Sequence, residues 1–175
     1  MAFTYRKIAG VTVGSGGAAS IDFTSIPSNY DDLAIKISGR GDLSNIATWV
    51  VVEFNGVTTN RSSRLLAGEG SGSAYSASYA SDIIFLICGQ SNTASTFGNA
   101  ELYIPNYAGS NNKSISIDQV TESNATFATS YLFSASWANT AAINRVTLYA
   151  ADASLNKNRI WLQHSTAVLY GILKA

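Results

Sequence analysis

The chain has 175 residues, with 11 basic and 11 acidic side chains and a net charge of zero. A phosphate backbone needs a basic excess, so nucleic acid is not the expected partner. Only 13% of the residues are charged, about half the usual share of roughly 25%; this suits a subunit of a larger assembly whose surface is solubilised by Ser, Thr, Asn and Gly.

The length predicts one domain over 1–175, large enough to bury roughly 70% of the surface its unfolded chain exposes. The one cysteine, Cys88, sits in the apolar run Ile83-Ile84-Phe85-Leu86-Ile87 and reads as a small buried hydrophobe. No run reaches the roughly 18 apolar residues of a membrane span, so no membrane contact is expected. The opening Met1-Ala2-Phe3-Thr4-Tyr5-Arg6-Lys7 is followed by no apolar stretch of the signal-peptide kind.

Along the chain the hydrophobic period is two, and no stretch carries a helical stripe. A first strand over about 3–13 and a second over about 18–24 are joined by Gly14-Ser15-Gly16-Gly17. The loop Pro27 to Asp32 precedes a strand over about 33–40, in which Leu33, Ile35 and Ile37 alternate with polar or small residues. Ile46 to Phe54 reads as a central strand, and Asn55-Gly56 after it as a hairpin turn, because both residues tolerate the positive φ of a type I′ turn.

From Val57 to Ala80 the character changes, and Ala67 to Tyr79 is small, polar and flexible. Strands resume at about 82–88, 96–104, 113–120, 126–137, 142–150, 158–163 and 166–173, with a turn at Asn106 to Asn112. Ile115 and Ile117 share one parity, as do Phe127, Tyr131, Phe133, Ala135 and Trp137. Ten or eleven such strands predict an all-β fold, an antiparallel β-sandwich wound like a jelly roll. The first and last strands are expected to pair, tying both termini into a sheet.

No constellation announces chemistry. His164 is the single histidine and reads as a turn residue, so a triad or a histidine-rich metal site has only one candidate member. No G-x-S-x-G elbow or phosphate loop occurs. Asp31-Asp32 reads as a turn cap rather than a calcium loop, and Glu53 and Glu101 as strand residues facing solvent or a neighbouring subunit. The chain is therefore expected not to be an enzyme and to hold no metal or cofactor. Trp49 and Trp137 read as core, whereas Tyr75 and Tyr79 lie on the flexible segment and are candidates for partner contact. Asn60-Arg61-Ser62 and Asn124-Ala125-Thr126 match the glycosylation triplet, a pattern common by chance.

Five segments stand out: Val13 to Pro27, Tyr30 to Arg40, Phe54-Asn55-Gly56, Phe97 to Lys113 with its Leu102-Tyr103-Ile104-Pro105-Asn106-Tyr107 core, and Leu169-Tyr170-Gly171-Ile172. Together they resemble small virion proteins of tailed bacteriophages. The resemblance implies a β-sandwich structural protein of the particle and carries over no catalytic residue. Its leading expectation is a capsid decoration (cement) protein made in the host cytoplasm. Such a protein would sit on the outer surface of the virion head as a homotrimer and clamp subunits of the major capsid protein, with Tyr75, Tyr79 and Tyr107 as contacts. The alternative is a tail-fibre or receptor-binding module for a cell-surface glycan, reading sugars through Tyr107 to Asn112.

Overall fold

The computed structural model describes residues 3–70, 72–124 and 128–174. Among them there is no helix. The strands are β1 (Phe3–Thr12), β2 (Ser20–Phe23), β3 (Asp32–Gly39), β4 (Ala47–Phe54), β5 (Arg61–Gly68) and β6 (Tyr75–Tyr79), then β7 (Ile83–Cys88), β8 (Gly98–Pro105), β9 (Lys113–Thr121), β10 (Thr129–Trp137), β11 (Val146–Ala151) and β12 (Thr166–Lys174). Eight of them form one sheet in the order β1-β12-β3-β8-β9-β10-β5-β6, and four form a second in the order β2-β11-β4-β7. Every ladder within the two sheets is antiparallel. The chain is an all-β sandwich, as its alternation implies.

The period-two pattern decides which side chains enter the shared core. Leu33, Ile35 and Ile37 of β3, Ile115 and Ile117 of β9, and Tyr131, Phe133, Ala135 and Trp137 of β10 are all buried. From the small sheet, Val50, Val52 and Phe54 of β4 face them, with Phe54 lying 5.5 Å from Trp137. The start of the expected 126–137 strand and the end of the Asn124 triplet lie outside the described residues, as do Ser71 and Phe127. The expected pairing of the first and last strands is present, with Tyr5 opposite Ile172 and Thr12 opposite Thr166.

Three expectations are corrected. The segment 57–80 is not a flexible run: it holds β5 and β6, which add a hairpin to the edge of the large sheet. Its Gly, Ser and Ala residues have weak strand preference, and pairing with β10 supplies the order that composition does not. Residues 158–163 make no strand; Trp161 forms only single bridges to Ala18 and Gly41, and its indole N–H donates to Leu148 O at 3.1 Å. Asn55-Gly56 makes the expected tight turn, with φ of 54° and 71°, but the strands it joins belong to different sheets. The Asn55 amide ties the turn instead to the segment before β11, accepting from Asn144 N at 2.9 Å and donating to Ala142 O at 2.8 Å.

The large sheet curls past the β7 edge of the small one. Tyr79 of β6 reaches Trp49 on the face of β4 turned away from the core, ring centroids 5.7 Å apart. Trp49 is thus half-buried beneath Tyr79 rather than in the core. Every residue of β7 is buried. At the opposite end of the sandwich, Gly171 admits no side chain: a Cβ there would lie 2.3 Å from the Tyr30 ring.

Candidate functional surface

The outward parity of the large sheet should be polar, and mostly it is. Ser114, Ser116, Ser130 and Ser134 alternate with buried neighbours on β9 and β10. Two leucines break the rule. Leu132 of β10 stands directly opposite Leu66 of β5, and they are 58% and 56% exposed. Val120, 45% exposed, lies on the same face. Two exposed leucines side by side form a patch, which isolated surface apolar residues do not.

The patch floors a groove of about 580 Å³ across β8, β9, β10 and β5. Register sets its polar rim. One cross-strand row runs Lys36, Glu101, Asp118, Leu132, Leu66; the next runs Tyr103, Ser116, Ser134, Arg64. Glu101 and Asp118 are adjacent like charges, an arrangement that costs energy on a sheet surface. Lys36, 3.1 Å from Glu101, offsets part of that cost. Among the described residues no cluster of His, Cys, Asp and Glu could hold a metal ion.

Tyr103 is held in place from the neighbouring strand. Its hydroxyl donates to Asp32 at 2.7 Å, and Asp32 also accepts from Asn106 N at 2.9 Å. Asp32 thus ties β3 to the turn after β8. The hydrogen bond to Asp32, then burial, pushes the Tyr103 phenol up to about 12 from 10.0. The folded state holds that proton more tightly than the unfolded chain, so the bond stabilises fully below the unfolded value and the effect is lost as pH rises through about 12. Denaturant melts across an alkaline series should show wild type more stable than Tyr103→Phe below pH 10, with the gap closing towards 12. A gap that does not change with pH would show that Asp32 is not the cause.

The sequence-predicted contact residues are scattered. Tyr75 is 43% exposed on β6, on the opposite parity to the groove, and its hydroxyl donates to Glu69 at 2.7 Å. Tyr79 is half-buried on Trp49, and burial pushes its phenol up. Tyr107 is corrected outright: it is fully buried and its hydroxyl donates to Pro27 O, so it offers no surface to a partner or a sugar. The rest of its turn is internally satisfied. The Asn106 amide donates to Asn111 Oδ1 at 2.8 Å, and the buried Lys113 ammonium donates to Gly109 O and Asn111 O at 2.6 and 2.5 Å.

Other polar residues are structural. Glu53 is buried and ion-paired, not solvent-facing, with Lys157 in contact and Arg61 at 3.7 Å. Arg40 is buried with its guanidinium on four backbone carbonyls. Cys88 is buried as expected, and that burial pushes its thiol up, away from the reactive thiolate. His164 occupies a turn at φ 71°. The groove had one local signal: Leu132 interrupts the polar parity of Ser130-Tyr131-Leu132-Phe133-Ser134. No family model, curated protein or solved structure matches the chain.

Proposed function

We propose that the chain is a structural protein of a bacteriophage particle, a capsid decoration protein that binds the outer head shell and clamps neighbouring major capsid protein subunits. The observation that carries this reading is the exposed Leu66–Leu132 pair in a groove with a polar rim of Arg64, Glu101, Ser116, Asp118 and Ser134. An apolar centre inside a polar rim is the anatomy of a protein docking face. A clamp that binds only the assembled shell stabilises that shell by mass action, with no chemistry required.

The topology adds support. Without the β5–β6 and β9–β10 hairpins, the sheets read β1-β12-β3-β8 and β2-β11-β4-β7. This interleaving of early and late strands supports a jelly-roll winding, an architecture found in viral capsid and lectin domains. That is analogy at the level of fold. The added strands extend one sheet only, and three of the four groove strands belong to them. The additions therefore build the surface.

Glycan recognition is the second reading, favoured by Glu101, Asp118, Arg64 and Tyr103 around the groove. Its platform is aliphatic rather than aromatic, which suits a protein partner better than a sugar ring. Co-sedimentation with purified phage shells tests the first reading. Wild type should pellet with shells, and Leu66→Asp/Leu132→Asp should not. Burying what the two leucines still expose contributes about 2–3 kcal/mol, or roughly 30- to 100-fold in affinity. Equal binding by the variant would remove the groove from the interface. Wild type that ignores shells but binds on a glycan array would replace decoration with the second reading.

A further inference from the structure

The four sheet edges differ in how they are protected. β1 carries Arg6 and Lys7 and a register irregularity between Lys7 and Ala9. β2 is four residues long, and β7 is buried along its whole length. Charge, bulges, shortness and coverage are the usual devices that stop an edge from pairing with another chain. β6 has neither charge, proline nor bulge, and among the described residues it pairs only with β5. Ser76 and Ser78 are exposed on its outward face.

The sequence of that strand is a palindrome: Tyr75-Ser76-Ala77-Ser78-Tyr79. An antiparallel pair of identical strands reads one copy backwards against the other. A dyad through Ala77 therefore sets Tyr75 against Tyr79, Ser76 against Ser78 and Ala77 against Ala77 of a second copy. Every position meets a residue of its own kind or size, as an isologous two-fold interface requires. Aromatic and hydroxyl cross-strand pairs are favourable, and no like charges oppose each other.

We propose that β6 is a self-pairing edge and that two copies of this chain join through it into one continuous sheet. The occupant is a second copy because the complementarity is to itself. The pair is two-fold, in place of the trimer expected from sequence. It does not depend on what the groove binds, since β6 forms no part of that groove. The joined sheet would present two grooves related by the dyad, giving a shell two attachment points for each dimer.

Native mass measurement over a concentration series tests this with paired charge variants at exposed positions. In Ser76→Glu/Ser78→Glu, each introduced acid faces another across the dyad, and the dimer should be lost. In Ser76→Lys/Ser78→Glu, each introduced lysine faces an introduced acid, and the dimer should return. A wild-type monomer or trimer overturns the proposal, as does a dimer that survives the double-acid change. If the double-acid variant fails to fold, Ala77→Cys gives an independent reading. Oxidation should link two copies on a non-reducing gel, because the dyad brings the two cysteines together; no link overturns the proposal. Cys88 is buried and does not compete.

Discussion

Replacing Arg61 by methionine should lower the unfolding free energy by about 3–5 kcal/mol, the cost of stripping a buried guanidinium from two backbone carbonyls and two carboxylates. The Arg61 side chain is only 3% exposed. It donates to Val52 O at 3.0 Å, to Thr58 O at 3.1 Å and to Asp82 at 2.9 Å, and stands 3.7 Å from the buried Glu53. One side chain thus fastens β4, the turn into β5 and the start of β7, where the large sheet curls round the small one. Methionine fills similar space and leaves Glu53 with Lys157 alone. Against a typical total of about 5–15 kcal/mol, this is a large fraction. The melting temperature should fall by roughly 10 °C or more. Adding Glu53→Gln to the Arg61 variant should recover part of the loss, because it removes a buried carboxylate that has lost one of its two cations and leaves only the more exposed Lys157 to solvent. A thermal melt of the single and double variants checks both statements. A change of under about 1 kcal/mol would mean that water reaches the cluster and screens it as on a surface.

Arg40→Met should cost about 3 kcal/mol and act locally. The guanidinium donates to Thr93 O and Thr96 O at 2.7 and 2.8 Å, and to Gln90 O and Asn92 O at 3.1 and 2.8 Å. It is the peg on which the connection from β7 to β8 is hung. Carbonyls stripped of their donors cost about 1–3 kcal/mol each when buried, less where water reaches them. The expected readout is faster hydrogen exchange across residues 89–97, with β12 and β3 little changed. Arg40→Lys should recover only part of the stability, since a rotating ammonium cannot reproduce a planar fork over four acceptors. Uniform loss of protection over the whole chain would show instead that this loop unfolds only with the rest.

The two arginines were not legible as anchors in the sequence. Arg40 appears there as the end of a strand, and Arg61 as the middle of a chance glycosylation triplet. Each gains its role from carbonyls or carboxylates that tertiary structure brings from elsewhere in the chain, such as Asp82 for Arg61 and Thr93 for Arg40. Tyr107 failed as a contact for a related reason. Its turn composition suggests a surface, but its ring is directed inwards onto Pro27 O. Ile160-Trp161-Leu162 carries enough apolar character to read as a strand, yet Trp161 is spent plugging the sandwich against Leu148.

Alternation by itself determined the all-β class and the inward residues of β3, β9 and β10. These depend only on which side of a strand each residue faces, and successive residues answer that locally. Tertiary structure decided the rest: β5 and β6 as strands, the meeting of Leu66 with Leu132, and the open edge at Tyr75 to Tyr79. Those features depend on which strands become neighbours. Neighbours are chosen by burial and hydrogen bonding between segments far apart in the chain, and a period of two is the same whichever strand lies alongside.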